Sequence, residues 1–264
     1  MANLGCGFSR ASAGVSFLGW YANGIWIMII EVVGYKGVVG NATYQWLKAM
    51  HPGHRIIGRD KGDCPQKSNV AFICVPEAFM DVACRETAGY TGFMVVRSTV
   101  VPGTCKTLQI TVGKHICHNP EFLREATAVQ DVFNPSYVLI GRCCPEHGEV
   151  LRRLYEPAQV KIVVTNTVTT ELVKVTINNY LACLVSFWNE MEAIAQASGV
   201  SGHRVGAIAT LDSRVVGYGA RYHHKFAGKC LPKEVEQMLS YAKAKGVPVQ
   251  LLEAIKEVNE CQTS

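Results

Sequence analysis

The feature that most restricts the fold is an apolar run, Ile27 to Val33, that passes directly into three spaced glycines, Gly34, Gly37 and Gly40. A short, unbroken apolar run ended by glycine reads as a buried parallel strand. A helical pattern follows from Asn41 to Met50, which makes a strand, glycine loop and helix in succession. Glycines at such a turn let the backbone approach a pyrophosphate, which then rests on a helix N-terminus. The loop is Val33-Gly34-Tyr35-Lys36-Gly37-Val38-Val39-Gly40, GxxGxxG where the usual fingerprint is GxGxxG. A glycine loop alone is also what an ordinary turn uses. The context adds to it: a second strand, Arg55 to Gly58, leads to Asp60, twenty residues past Gly40. A carboxylate there hydrogen-bonds ribose hydroxyls and repels a 2′-phosphate, which favours NAD over NADP. Arg59 and Lys61 work against that preference. On this reading Gly34, Tyr35, Lys36, Gly37, Val38, Val39 and Asp60 bind NAD.

The chain continues in the same style. Asn69 to Val75 is a third strand, closed by Pro76, and Phe93 to Val96 a fourth, running into Ser98-Thr99-Val100-Val101-Pro102-Gly103. His115 to His118 and Tyr137 to Ile140 are shorter strands. Strands alternating with helical segments predict an α/β fold with a doubly wound parallel sheet. The pattern changes near Thr165. One long helix is expected from Val168 to Ser198, stopped by Gly199 and apolar nearly all round. Glu171, Lys174, Asn178, Asn179, Asn189 and Glu190 interrupt it, which favours a helix buried at a domain or subunit interface over a membrane span. Two or three further helices reach Asn259.

The expected division is therefore a Rossmann-type NAD-binding domain over residues 28–165 and an all-helical central domain over 166–264. Residues 1–27 are expected to be an extension outside the fold. A signal peptide or membrane anchor is the competing reading of the apolar stretch after Arg10, but that stretch carries straight into the glycine loop as a first strand would.

Of the 264 residues, 48% are hydrophobic, enough to bury a sizeable core. The formal charge of +5 comes from scattered Lys and Arg, with no dense basic run of the kind that binds nucleic acid. It fits an electropositive pocket for a small anion better. Eleven cysteines, an odd number with no CxxC, argue against a disulfide framework or a zinc ribbon. A reducing cytoplasm and no metal site are expected.

Three later clusters carry candidate chemistry. In Asn119-Pro120-Glu121-Phe122-Leu123-Arg124-Glu125, Glu121 and Glu125 stand four apart and would share a helix face, although a solvated surface reads the same way. Lys174 and Asn178 are also four apart on the long helix. Burial of Lys174 would lower its pKa toward a useful value, unless the amine snorkels to solvent. Cys230 follows a basic small-residue loop and precedes Pro232, so a helix should start just beyond it. Lys229, Lys233 and that helix N-terminus would favour the thiolate, whereas an ordinary core cysteine is the alternative.

Taken in order, these pieces resemble the UDP-glucose/GDP-mannose dehydrogenase family. The matching residues are the glycine loop, Cys74-Val75-Pro76, Ser98-Thr99-Val100 with Pro102-Gly103-Thr104, and Asn119 to Glu125 with Asp131 and Pro135. They continue with Glu171-Leu172-Val173-Lys174 and Asn178, Phe187 with Asn189-Glu190, Asp212-Ser213-Arg214, and Gly228, Cys230, Pro232 and Lys233. The resemblance runs from about residue 28 to 260.

The resemblance implies NAD-dependent oxidation of a nucleotide-sugar primary alcohol to the uronate, with two NAD used in succession. Cys230 would be the nucleophile, passing through a thiohemiacetal and a thioester. Lys174 and Asn178 would stabilise the oxyanion and touch substrate, and Thr99 and Glu125 would orient or activate water. Glu121, Phe122, Leu123, Arg124 and Arg214 would bind the UDP- or GDP-linked sugar, Arg214 reaching into the neighbouring subunit. Val75, Pro76, Ser98, Thr99 and Glu125 would join the cofactor site, and the long helix would form a homodimer. Three positions depart from the family pattern: Glu234 stands where Asp is usual and joins the catalytic set, Lys225-Phe226-Ala227-Gly228 replaces GFGG, and Val75-Pro76-Glu77-Ala78 replaces Val-Pro-Thr-Pro. The chain ends where the family's third domain would begin. A β-hydroxyacid or 6-phosphogluconate-type dehydrogenase also places Lys and Asn four apart on a long helix, but a single hydride transfer needs no thiol. A non-catalytic NAD-binding remnant is the reading from another class.

Overall fold

A computed structural model describes residues 21–22, 25–220, 224–228 and 230–262. Seven strands form one sheet: β1 (Ile29–Val33), β2 (Arg55–Arg59), β3 (Ser68–Ile73), β4 (Thr91–Val96), β5 (Ile116–His118), β6 (Val138–Arg142) and β7 (Ile162–Asn166). Their order is β2-β1-β3-β4-β5-β6-β7. The first five are parallel, and β6 and β7 are parallel to each other. The sheet is the expected parallel one except at one place: β6 meets β5 antiparallel, through His118 and Gly141. The apolar run that marks a strand says nothing of its direction. Tyr21–Ala22 and Ile25–Trp26 pair as a separate two-stranded ribbon, and residues 1–20 of the expected extension lie outside the described residues.

Side-chain alternation along the strands feeds two cores. On one face Ile30, Val32, Phe72 and Val95 pack with Trp46 and Leu47 of helix α1 (Val38–Met50), Val132 of α4 (Ala128–Phe133) and Leu151 of α5 (Pro145–Tyr155). On the other, Val33, Ile73, Met94 and Val96 pack with Met80 and Cys84 of α2 (Met80–Ala88) and Leu108 of α3 (Thr104–Val112).

The long helix is α6 (Thr167–Ala197). Asn166 caps its start by accepting from the Thr169 amide at 2.8 Å, and Gly199, at φ +74°, supplies the left-handed turn after its end. Its polarity is the reverse of a simple amphipathic pattern. Glu171, Lys174, Asn179 and Asn189 are buried, whereas Leu172, Tyr180, Phe187 and Ile194 are exposed. Helices α7 (Gly202–Ala209), α8 (Leu231–Ala244) and α9 (Gln250–Cys261) pack against α6. Ala182, Val185, Phe226, Val235 and Ile255 make their core. Among the described residues no helix is long and apolar enough to cross a membrane.

Candidate active site

The neighbours of β1 are β2 and β3, and the chain crosses over between them. Ligands of open α/β sheets bind at such a switch point, beyond the carboxyl ends of the strands. A cleft of about 420 Å³ lies there, lined by Gly34, Gly37, Asp60, Val75, Pro76 and Phe79 among others. Gly34 adopts φ +79°, and a Cβ on it would stand 2.6 Å from the Cys74 carbonyl oxygen. A side chain there would therefore be strained and would collide with backbone. Gly37 begins α1 with no side-chain cap, which leaves the first amides of the helix for an anion.

Asp60 binds the loop itself. Its Oδ2 accepts from the Lys36 amide at 3.2 Å and its Oδ1 from the Lys61 amide at 2.8 Å. Arg59 does not oppose it. The guanidinium turns into the core, 2.9 Å from Glu31 and hydrogen-bonded to Thr87. Tyr35 and Val39 are partly buried against the core, Tyr35 at 5.5 Å from Tyr44. Val38 is exposed at the helix start. Ser98 donates to the Val75 carbonyl at 2.6 Å and joins the two strand-end loops beside the cleft.

The second half of the site sits where α6 and α8 meet those strand ends. Lys174 is buried with its Nζ 3.6 Å from Glu121 Oε1 and 5.5 Å from the Phe122 ring centre. Asn178 donates to Glu234 Oε2 at 2.8 Å, and Thr99 also hydrogen-bonds Glu234. Burial pushes the Glu234 carboxyl above the usual carboxylate range, against the pull of Lys174 and these hydrogen bonds. Cys230 stands at the N-terminus of α8, as its sequence position predicts.

The thiol itself departs from expectation. Burial and the Glu234 charge push its pKa up, with Glu121 and Glu125 adding to the rise and Lys174 opposing it. Lys233 points instead to Glu77, 3.5 Å away, and Lys229 lies outside the described residues. The helix-end effect favours the thiolate but is outweighed first by burial, then by Glu234 four residues on, and by Glu121 and Glu125, which the fold brings near.

Glu121 and Glu125 do not share a helix face. Residues 121–124 belong to no helix, Arg124 is extended, and the 3₁₀ turn begins only at Glu125. Pro120 precedes the segment, and Glu121 spends Oε2 on the Leu123 amide at 2.6 Å, a local bond that competes with helix. Arg124 is exposed and bound to Asp131 at 2.5 Å, and Arg214 is exposed and bound to Asp212 at 2.6 Å. Both arginines are thus held by aspartates a few residues along the chain. A second cavity, about 320 Å³, is lined by Asn119–Arg124 together with Trp46 and Tyr155.

Four more residues support the site: Arg97, Tyr155 and His118 carried no sequence signal of such a role, and Glu171 stood out only as a polar break in the long helix and in the family resemblance. Arg97 and the Tyr155 hydroxyl both bind Asn119 Oδ1, and Asn119 donates to the Leu139 carbonyl at 2.8 Å, which fixes the loop bearing Glu121. His118 is buried against Thr170 Oγ1 at 2.8 Å, and burial pushes its pKa down to about 3, so it is a neutral structural imidazole. Glu171 accepts the Gly103 and Cys105 amides at 2.6 and 2.7 Å, capping α3 from α6.

Residues 47–159 match the NAD binding domain of the UDP-glucose/GDP-mannose dehydrogenase family, and residues 168–261 match its central domain. A GDP-mannose 6-dehydrogenase of Pseudomonas putida is 33% identical over 233 residues, covering 77% of this chain and 53% of that protein. A UDP-glucose 6-dehydrogenase of Bacillus subtilis is 33% identical over 181 residues, covering 65% of this chain and 39% of its own length. The chain thus spans about half or less of these curated relatives. A solved UDP-glucose dehydrogenase of Pyrobaculum islandicum superposes with a TM-score of 0.75 at 25% identity, covering 92% of this chain and 70% of that one. The cofactor is NAD, in keeping with the open glycine loop and Asp60 at the switch point. The chain belongs to the UDP-glucose/GDP-mannose dehydrogenase family.

Proposed function

We propose that the protein oxidises the primary alcohol of a UDP- or GDP-linked sugar to the uronate in two steps at one site. The observation that carries this reading is the convergence of Lys174, Asn178, Glu121, Thr99, Glu234 and Cys230 at the strand ends beside the cofactor cleft. NAD, when bound, supplies the hydride acceptor for both oxidations.

Lys174 and the second N–H of Asn178 stabilise the developing oxyanion at the sugar carbon. Glu234 lies beside the thiol and takes its proton as Cys230 adds to the aldehyde, giving a thiohemiacetal. A base beside the thiol fits its raised pKa. After the second oxidation Cys230 carries a thioester. Water held by Thr99 and Glu125 attacks it, releasing the uronate and restoring the thiol. Glu121 and Phe122, which lie against Lys174, would meet the sugar together with the neighbouring Leu123. Arg124 and Arg214 serve the substrate only by leaving their aspartates.

The exposed Leu172, Tyr180, Phe187 and Ile194 lie on α6 at near-heptad spacing. They support a homodimer through this helix. The test is NADH production from NAD with UDP-glucose and GDP-mannose. Two NADH per sugar are expected, with net turnover abolished by Cys230→Ala. One NADH per sugar, or turnover that survives Cys230→Ala, overturns the reading.

A further inference from the structure

The antiparallel entry of β6 has a chemical result. Because β6 runs against β5, its end comes to the edge of the sheet where β5 begins, opposite the edge that holds the cofactor cleft. Four donor residues meet there: His115 just before β5, Cys143 and Cys144 just after β6, and His147 in the first turns of α5. The Cys143 and Cys144 sulfurs are 3.2 and 3.1 Å from His147 Nδ1 and 4.0 Å from each other. All four donor atoms lie within 4.8 Å of one another.

We propose that His115, Cys143, Cys144 and His147 form a binding site for one Zn²⁺ ion. A tetrahedral site with Zn–S of about 2.3 Å and Zn–N of about 2.0–2.1 Å spaces neighbouring donors by roughly 3.5–3.8 Å, so small side-chain adjustments suffice. Two sulfurs and two imidazole nitrogens are a soft set that selects zinc over magnesium or calcium. The His147 ring is already oriented, stacked on Phe93 at 4.1 Å with a 16° interplanar angle. His115 is exposed and offers the entry path. On coordination each thiol releases its proton to solvent, and the ion replaces the sulfur–imidazole contacts. The ion joins a loop, a strand end and a helix start, and it stays remote from the NAD cleft.

A competing use of the same sulfur is a disulfide, since Cys117 Sγ lies 3.4 Å from Cys143 Sγ. The experiment separates the two. The reduced, chelator-treated full chain is titrated with Zn²⁺ and with Co²⁺, alongside Cys144→Ser and His115→Ala. Expected are one equivalent bound, a thiolate-to-Co²⁺ absorption band, a rise in Tm with Zn²⁺, and unchanged NAD affinity. The affinity for Zn²⁺ should fall by about 100-fold or more in Cys144→Ser, and the exposed His115→Ala should weaken it with the fold intact by circular dichroism. No uptake by the folded protein, uptake of equal affinity in both variants, or a Cys117–Cys143 or Cys143–Cys144 disulfide in protein freshly purified without reductant overturns the proposal.

Discussion

Asn178 donates a 2.8 Å hydrogen bond to Glu234, tying the middle of the long helix to the first turn of the helix that starts at Cys230. The bond spans 56 residues of sequence and sets the distance between the proposed oxyanion donors and the proposed nucleophile.

The Glu234 carboxyl has a raised pKa, chiefly through burial, against an ordinary value of 4.5. The native state therefore holds this proton to higher pH than the unfolded chain does. Its contribution to stability is fully present below pH 4.5 and is lost as pH rises through the folded pKa. Glu234→Gln keeps an acceptor for Asn178 and has no charge to bury, so its Tm should gain on the parent as pH rises from 4 toward about 8. A Tm difference that stays constant across that range would refute the assignment.

Glu171 holds two backbone amides at the start of α3. Glu171→Ala leaves both without their acceptor in a buried position. Hydrogen bonds to a charged group contribute about 1.5–3 kcal/mol each, so urea unfolding should show a loss of about 3 kcal/mol. A loss below about 1 kcal/mol would show that water replaces the cap.

Gly34→Ala meets both a positive φ and the Cys74 carbonyl. The loop must shift, and NAD binding, followed by calorimetry, should be lost before the fold is. Unchanged affinity would mean that the pyrophosphate does not sit on this loop.

Asp60→Ala should weaken NAD binding by about 1–3 kcal/mol, the cost of a lost buried hydrogen-bond partner, and should narrow the preference over NADP. Arg59→Ala should instead destabilise the fold by about 3–5 kcal/mol, because it strands the buried Glu31 charge, while leaving the NAD/NADP ratio unmoved. An altered cofactor ratio in the Arg59 variant would falsify that separation.

The strands and the glycine loop were legible because burial on both faces writes itself as apolar runs, as in Val70 to Ile73 and Phe93 to Val96. Strand β7 escaped because Ile162–Asn166 is only half buried and passes directly into the cap of α6. The spacing of Glu121 and Glu125 was legible and their shared face was not, since four residues make a face only in a helix and Pro120 with the Glu121 side chain prevents one. Cys230 was found by its order in the chain. Its pKa is raised first by burial and then by Glu234, with Glu121 and Glu125 added; the burial and the last two carboxylates arise only in the folded chain. Cys143, Cys144 and His147 lie within five residues, but the fourth donor, His115, joins them only because two strand ends that run in opposite directions meet there.

The Glu171 cap has a mechanical consequence. Lys174 lies three residues further along the same helix, less than one turn away. Any rocking of the helical part against the sheet must pivot close to that carboxylate, so Lys174 sits near the fulcrum and moves little. The far end of α6, about 40 Å along the axis by helical rise, swings through the widest arc. An opening motion that admits substrate can thus be large at Ala197 and slight at the amine.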